Sequence, residues 1–282
     1  MDLSIMYFND QNYIVPSTSS IQFCFSKTDF MHNGTPRFVE KSFYFLNTHK
    51  LVNEGCEFFL MPSKLSSLTN FKKQFVELFR TLKYKVIHIS EKDDILLQNG
   101  YYKKLKILND ILKRLKTDKV VVHANFFQNN RRLKREIFLN VLDDVQIIVE
   151  NNGFDNEWGS NIDNILDIFS DCPEFKFCLD IAHVKDLKQY SLDDFINNEQ
   201  LLNKLTEIHY SYSTRFCTKD PYKDVGFHGY APFHALFSIL KLKPSKKTKK
   251  FIRKYPIVME GLVPKEDKEL QYLKKEMEIL KE

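Results

Sequence analysis

The stretch QIIVENNGFDNEWGSNIDNILDIFSDCPEFKFCLDIAH (Gln146–His183) holds two short apolar runs, QIIVE and KFCLD, on either side of a segment with helical spacing. Both runs are apolar throughout rather than alternating, which is typical of strands that are covered on both faces. The two runs start about 30 residues apart, which is the length of one strand–helix–strand unit. The stretch therefore predicts two parallel strands joined by a helix.

The same kind of run recurs along the whole chain. Eight runs are present: IQFCF (Ile21–Phe25), EFFLM (Glu57–Met61), KVIHI (Lys85–Ile89), KVVVH (Lys119–His123), QIIVE (Gln146–Glu150), KFCLD (Lys176–Asp180), TEIHY (Thr206–Tyr210) and PIVME (Pro256–Glu260). Amphipathic segments lie between them, among them Ser66–Leu82, Tyr101–Lys116 and Ser191–Leu205, and Asp267–Lys281 closes the chain. In Ser191–Leu205, a capping-box-like start pairs Ser191 with Asp194.

Eight strand–helix units in 282 residues predict an α/β fold, a (β/α)8 TIM barrel of parallel strands. An open, doubly wound sheet is the rival architecture, but it usually carries a glycine-rich phosphate turn after an early strand, and the sequence has none. No linker or break in composition divides the chain, so a single domain over residues 1–282 is expected. Residues 1–50 match the repeat poorly and are expected to form a lid or an extra edge.

Composition and charge exclude several classes of protein. The net charge of +5, from 42 basic and 37 acidic residues, permits a polyanionic partner without requiring one. The five cysteines form no CxxC pair, so reduced thiols and a cytoplasmic location are expected. The N-terminus does not read as a signal peptide, and no apolar run reaches the roughly 18 residues that a membrane span needs.

Polar side chains stand at or near the carboxyl ends of six consecutive predicted strands. They are His88, His123, Glu150, Asp180 with His183 three residues later, His209 and Glu260. The carboxyl ends of barrel strands converge on one face, where catalytic residues lie, and imidazoles and carboxylates are ligands of Zn²⁺ and Mn²⁺. A single member of this set is more often structural; Asp180, for example, would also cap the following helix. The joint pattern predicts a metal site.

Four further histidines are interpreted by their place in the chain. His228, in the loop GFHGYAPFH after the seventh strand, is expected to join the metal site. His234 starts the next apolar segment and is expected to be structural at the start of a helix. His32 and His49 lie away from any strand end and are expected at the surface.

These residues resemble the xylose isomerase-like barrel superfamily, which includes the endonuclease IV family of apurinic/apyrimidinic endonucleases and many sugar isomerases and epimerases. The similar stretches are ENNG (Glu150–Gly153), GSNIDNILDIF (Gly159–Phe169), FCLDIAH (Phe177–His183), EIHYS (Glu207–Ser211) and PIVMEG (Pro256–Gly261). The similarity covers about residues 55 to 282, and its most specific local element is the step from Asp180 to His183.

The resemblance to endonuclease IV implies up to three divalent ions, Zn²⁺ or Mn²⁺, and cleavage of a phosphodiester in abasic DNA or a related phosphate ester. It implies a first ion on His88, His123 and Glu150, a second on Glu150, Asp180, His209 and Glu260, and a third on His183 and His228. In that family an Asp stands two residues before the loop His, where this chain has Gly226; Asp220 and Asp224 lie nearby. Glu150 and Glu260 are the implied catalytic residues.

The resemblance to the epimerases implies a different enzyme. A single ion would be held by Glu150, Asp180, His209 and Glu260, and the two glutamates would move a proton between them. His183 and Arg215 would then bind the substrate. His88, His123 and His228 have no role in a single-metal epimerase, so they favour the multinuclear hydrolase. A third alternative is a non-catalytic barrel that binds a metal.

Several other residues are predicted to contact a substrate, which would be DNA or a phosphorylated or sugar-like small molecule. Arg131 and Arg132 follow the fourth strand, where they would meet a phosphate backbone. Tyr210 neighbours His209 and would stack on a base or sugar. The basic stretch Lys241–Lys254 precedes the eighth strand and is interpreted as a solvated helix end that faces away from the catalytic face. The sequence does not indicate an oligomeric state.

Overall fold

The computed structural model describes residues 13–25, 34–61, 64–65, 71–89, 101–215 and 234–282. Eight parallel strands form its main sheet: β1 (Ile14–Pro16), β2 (Gly55–Leu60), β3 (Tyr84–Ile89), β4 (Lys119–His123), β5 (Gln146–Glu150), β6 (Lys176–Asp180), β7 (Leu205–Tyr210) and β8 (Ile257–Met259). They pair in the order β1-β8-β7-β6-β5-β4-β3-β2. A bridge between Ser17 and Glu57 joins β1 to β2, so the sheet closes on itself. The predicted (β/α)8 barrel is confirmed.

Helices and one short ribbon surround the described part of the barrel. The helices are α1 (Pro36–Thr48), α2 (Lys73–Arg80), α3 (Tyr101–Leu115), α4 (Arg131–Val141), α5 (Ile162–Asp171), α6 (Ile181–Lys185), α7 (Leu192–Ile196), α8 (Glu199–Leu202), α9 (Lys246–Ile252) and α10 (Gln271–Lys281). After β7, Tyr212–Ser213 pairs with His234–Ala235 in an antiparallel ribbon. No helix in these ranges is long and apolar enough to cross a bilayer.

The first strand was predicted at the wrong place. Ile21–Phe25 holds a 3-10 turn (Gln22–Cys24), and the strand is Ile14–Pro16. This strand has only three residues and ends in proline, which lacks the N–H that a ladder needs, so its sequence carries little strand signal. Residues 14–16 therefore belong to the barrel sheet, and residues 36–48 to the helical layer around it.

The predicted helix Ser191–Leu205 is two helices. Its start is as expected, because the Ser191 N–H donates to Asp194 Oδ2 at 2.7 Å. The first helix ends at Ile196, with Asn197 as its C-cap, and Asn198 caps the second by accepting from the Leu201 N–H at 3.1 Å. Asparagine competes with the helix backbone through its own side chain, which explains the interruption.

The strand interiors place an apolar layer beneath a polar one. The barrel is filled by Val15, Val86, Val121, Ile148, Cys178 and Val258, all buried. Side chains alternate between the faces of a strand, so the residue two positions later points into the barrel as well. In the same strand order these later residues are Ser17, His88, His123, Glu150, Asp180 and Glu260. The alternation thus gathers polar side chains over an apolar floor, at the carboxyl ends of the strands.

Candidate metal centre

The strands bring the predicted metal-binding residues together in and around one cavity of about 160 Å³. Its lining residues are Ser19, Gln22, Phe59, His88, His123, Glu150, His183, His234, Glu260 and Leu262. Asp180 and His209 are fully buried directly beside it. His228, Asp220, Asp224 and Gly226 lie outside the described residues, as does His32. Within the described ranges the structure thus assembles every other predicted ligand.

Glu150 lies at the centre of the cluster and is fully buried. Its Oε2 is 3.0 Å from His88 Nε2 and 3.5 Å from His123 Nε2. Its Oε1 is 3.4 Å from His183 Nδ1 and 3.5 Å from His209 Nδ1. Burial opposes ionisation, but the charges of the surrounding imidazoles outweigh it and hold the pKa of Glu150 well below its usual value. One carboxylate therefore faces two separate pairs of imidazoles.

Two sets of donor atoms share Glu150. The first set is His88, His123 and Glu150, and the second is Glu150, Asp180, His209 and Glu260; within each set, one donor atom per residue lies within 4.8 Å of all the others. Three further sets have the same spacing: Asp180, His183 and His234; Glu57, His88, His209 and Glu260; and Cys178, Glu207 and His209. Imidazole and carboxylate donors in sets of three and four match the preferences of Zn²⁺ and Mn²⁺.

Buried atoms without partners show that cations would fit these sets. Both oxygens of Glu150, Asp180 Oδ2, His209 Nδ1 and both ring nitrogens of His88 have no hydrogen-bond partner among the described residues. Isolated buried charges and unpaired polar atoms are costly, and coordination of a metal removes that cost. Five carboxylates and five imidazoles take part in the donor sets of the described residues. Divalent cations would balance the negative charge of these carboxylates.

Asp180 combines the structural and the metal-binding role. Its Oδ1 accepts from the His183 N–H at 2.9 Å and so caps α6, while its Oδ2 has no hydrogen-bond partner among the described residues. Asn151 fixes the backbone of Asp180 through two hydrogen bonds, of 2.8 and 3.2 Å. Burial raises the pKa of Asp180 well above its usual value. Asp180 can therefore cap the helix through Oδ1 and bind a metal through Oδ2, because a carboxylate has two oxygens.

The ENNG segment positions His183. The ring Nδ1 of His183 is 2.7 Å from the Asn151 carbonyl oxygen, which is an acceptor only, so this contact places the proton on Nδ1 and leaves Nε2 for a ligand. Gly153 lies against the same ring, and a Cβ there would be 2.8 Å from His183 Cδ2. A side chain at position 153 would therefore displace the imidazole.

The prediction that His234 begins a helix was wrong. It lies in the two-residue ribbon strand, lines the cavity, and has its Nδ1 2.8 Å from Ser211 Oγ and 3.8 Å from Asp180 Oδ2. Burial lowers its pKa to about 4, and burial also lowers the pKa of His123 to about 4. Burial thus favours the neutral form of both rings, which is the form that binds metals. Its place beside His228 in the loop after β7 was the available signal.

Glu57 and Glu207 belong to the cluster and were missed from the sequence. Glu57 Oε2 is 3.1 Å from His209 Nε2 and 3.8 Å from His88 Nδ1. Glu207 Oε1 is 3.0 Å from His209 Nε2, and its other oxygen accepts from the Tyr84 hydroxyl. Both carboxylates lie inside a strand, whereas the predicted ligands lie at or near strand ends. A carboxylate inside an apolar strand was the signal.

The structure places the four predicted substrate-contact residues away from the cavity of the metal centre. Tyr210 is 1% exposed and stacks on Phe237 at 4.7 Å between ring centroids, because alternation places it on the opposite face from His209. Arg131 and Arg132 pair with Asp171 at 2.7 and 3.0 Å. The Arg215 guanidinium lies over the Phe154 ring at 4.7 Å. None of these four lines the cavity of the metal centre.

The basic stretch Lys241–Lys254 starts closer to the catalytic face than predicted. Lys243 lines a second cavity of about 380 Å³ together with Lys185, Ser211 and Tyr212, which follow β6 and β7. Ser211 also contacts His234 at the metal centre, so the two cavities are neighbours. The start of the stretch therefore lies beside the catalytic face. The connection from β7 to β8 begins at this face, where β7 ends, and runs to the opposite face, where β8 begins.

Comparisons with known proteins support the fold. No protein-family model matches the chain, and no curated protein matches its sequence. The structure is similar to the probable 3-DHS dehydratase AsbF of Bacillus anthracis (TM-score 0.60, 17% identity, 96% of this chain and 99% of that chain). It is also similar to a xylose isomerase-like TIM barrel protein of Mycobacterium smegmatis in complex with magnesium, with a TM-score of 0.57 and 13% identity over 96% of each chain. A third similar structure is the TTHB071 protein of Thermus thermophilus soaked with ZnCl₂, with a TM-score of 0.53 and 14% identity over 96% of this chain and 97% of that chain. The chain thus has the fold of xylose isomerase-like barrels.

Proposed function

We propose that this protein is a metal-dependent phosphodiesterase that uses two neighbouring divalent cations sharing Glu150. The observation that carries the proposal is the orientation of the Glu150 carboxylate. Its Oε2 faces His88 and His123, and its Oε1 faces His209 of the other donor set. A single-metal enzyme has no use for imidazoles on both sides of one carboxylate, whereas paired metal sites in hydrolases are bridged in this way.

His88, His123 and Glu150 would hold the first cation, and Glu150, Asp180, His209 and Glu260 the second. Cations bound there would supply Lewis-acid catalysis, which activates water and stabilises the charge that develops on phosphoryl oxygens. Glu260 is 6% exposed and lines the cavity, so its carboxylate can orient a water molecule. Phe59 and Leu262 line the same cavity and exclude bulk water from one wall.

The size and surroundings of the cavity favour a large, anionic substrate. A volume of about 160 Å³ is below the roughly 300 Å³ of sites that enclose a whole small molecule, so only the reacting group would enter. Lys185 and Lys243 lie in the neighbouring cavity, where they would attract the phosphates of a longer chain. Abasic DNA, which presents a sugar and phosphate without a base, is the substrate that we propose to test first.

The direct test is cleavage of a duplex that contains one abasic analogue, with Mn²⁺ or Zn²⁺ added, beside an otherwise identical intact duplex. We expect strand breakage at the abasic position only, and none with Glu150→Gln. A matched control is Glu136→Gln, which changes an exposed carboxylate on α4. Wild-type protein that holds two cations and leaves the abasic duplex and simple phosphodiesters intact would contradict the proposal.

A single-metal isomerase or lyase is the second candidate. The set Glu150, Asp180, His209 and Glu260 is complete by itself, and the structural neighbour AsbF is named a probable dehydratase. In this alternative Glu150 and Glu260 exchange a proton with the substrate carbon. It predicts one bound cation per chain, full activity in His88→Ala, and interconversion of a ketose with its epimer or loss of water from a hydroxy acid.

A further inference from the structure

Glu57 occupies a fixed position under the metal centre. Its backbone stands at the seam of the barrel, where its carbonyl accepts from the Thr18 N–H at 3.0 Å and Ser17 is its bridge partner. Its side chain is fully buried, and neither carboxylate oxygen has a hydrogen-bond partner among the described residues apart from the nearby imidazoles. A buried carboxylate in a closed seam cannot reach solvent, so its role must lie within the cluster.

The Glu57 carboxylate lies near the imidazoles of His88 and His209, on the side of each ring that faces away from Glu150. The His88 Nε2 faces Glu150, and the other nitrogen of that ring, Nδ1, is 3.8 Å from Glu57 Oε2 and 3.4 Å from Glu260 Oε1. The His209 Nδ1 faces Glu150 and Glu260, and its Nε2 is 3.1 Å from Glu57. An acceptor at the rear nitrogen keeps the proton there and leaves the front nitrogen free to bind a metal. Among the described residues, Glu57 is the carboxylate that lies at the rear nitrogen of both rings, 3.1 Å from that of His209 and 3.8 Å from that of His88.

We propose that Glu57 is a positioning residue that fixes the tautomer and orientation of His88 and His209 together, and so couples the two metal positions. The inference rests on the proposed function only in assigning the two rings to different cations. His88 belongs to the first donor set and His209 to the second, and both rings also share a set with Glu57 and Glu260, in which Glu57 would itself be a ligand. One carboxylate therefore supports a ligand of each set from the layer beneath them.

Glu207 provides a matched comparison within the same layer. It lies 3.0 Å from His209 Nε2 and is held by the Tyr84 hydroxyl. The ion pairs of the described residues include no contact between Glu207 and His88. Removing its charge should therefore disturb the second metal position alone, whereas removing that of Glu57 should disturb both.

The test is titration of Mn²⁺ and of Zn²⁺ into metal-free wild type, Glu57→Gln and Glu207→Gln, monitored by calorimetry. For Glu57→Gln we expect an unchanged number of cations and affinities about 10- to 100-fold weaker at both positions. For Glu207→Gln we expect a similar loss at one position only. Unchanged affinity in a folded Glu57→Gln would overturn the inference, and so would loss of one whole equivalent, which would make Glu57 a direct ligand.

Nitrogen-15 spectra of the histidines in metal-loaded wild type give a readout that needs no variant. We expect a proton on His88 Nδ1 and on His209 Nε2; a proton on the front nitrogen of either ring would overturn the inference. The same spectra separate the two proposals. Absence of phosphodiesterase activity, or binding of a single cation, would refute the proposed function, while the tautomers would still decide the role of Glu57.

Discussion

Along each barrel strand, the inward-pointing residues two positions apart belong first to the apolar core and then to the metal cluster. Ile148 fills the barrel, and Glu150, two positions later, lies at the centre of the metal cluster. Strand-end polarity therefore predicted most of the cluster from the sequence. It missed Glu57 and Glu207 because these residues lie one layer lower in the barrel, level with Val86 and Cys178. It misplaced Tyr210 because the residue that follows a ligand along a strand points to the opposite face.

Glu150 is the residue whose loss should have the widest effect. In Glu150→Gln the carboxylate that both donor sets share becomes a neutral amide, so both metal positions should weaken and cleavage of the abasic duplex should be abolished. The fold should persist, because the amide has nearly the same shape. Metal titration and circular dichroism check the two parts. Glu260→Gln should also abolish turnover, and near-normal turnover in either variant would show that the assignment is wrong.

His88 distinguishes the first metal position from the second. His88→Ala removes a ligand of the first donor set and leaves the second set of Glu150, Asp180, His209 and Glu260 complete, so we expect one equivalent of metal to be lost along with most phosphodiesterase activity. Elemental analysis of the purified variant measures the loss. His49→Ala is a control, because His49 packs on Phe45 at 4.9 Å and belongs to no donor set of the described residues. Retention of all the metal by His88→Ala would remove it from the site.

At the scale of elements, aromatic side chains join α1 and α2 to β2. Phe58 is fully buried, with its ring centroid 4.1 Å from that of Phe79 and 5.4 Å from that of Phe75. Phe43 of α1 meets the same ring edge-on at 6.0 Å. Such packing holds the helices against the strand that carries Glu57, and so supports the metal centre from outside the barrel.

Truncation of Phe58 should test this packing. We expect Phe58→Ala to lower the free energy of unfolding by about 3–5 kcal/mol, because it leaves a cavity where three other aromatic rings meet. Urea denaturation measures the change. Leu139→Ala, at a side chain that is 38% exposed, should change it by less than about 0.5 kcal/mol. Equal effects of the two substitutions would contradict the role of the cluster.

Element prediction succeeded where the local signal is long and failed where it is short. Seven of the eight strands carry β-branched or aromatic runs of three to six residues and were placed from sequence. The strand Ile14–Pro16 was missed, because three residues ending in proline are held by their neighbours rather than by their own propensity. The interruption at Asn197 and Asn198 was missed for the opposite reason, since the hydrophobic periodicity continues through it.

At the scale of the whole molecule, the metal centre should contribute to stability. Without cations, the barrel encloses Glu57, Glu150, Asp180, Glu207 and Glu260, all buried, with imidazoles as their main partners. Adding Mn²⁺ or Zn²⁺ should therefore raise the melting temperature, and a chelator should lower it. At a hundredfold excess over the dissociation constant, one cation adds about 2.7 kcal/mol. Scanning calorimetry with and without chelator measures this, and Glu150→Gln should lose most of the shift.

The most direct test of two cations sharing Glu150 is the metal content of the wild-type protein. Metal-free protein would be dialysed to equilibrium against Mn²⁺ or Zn²⁺, and the ratio of bound metal to chain measured by elemental analysis. The two donor sets predict at least two equivalents per chain, and three if Asp180, His183 and His234 hold one as well. A ratio of one or below in the folded protein would contradict the shared site and leave the single-metal enzyme in its place.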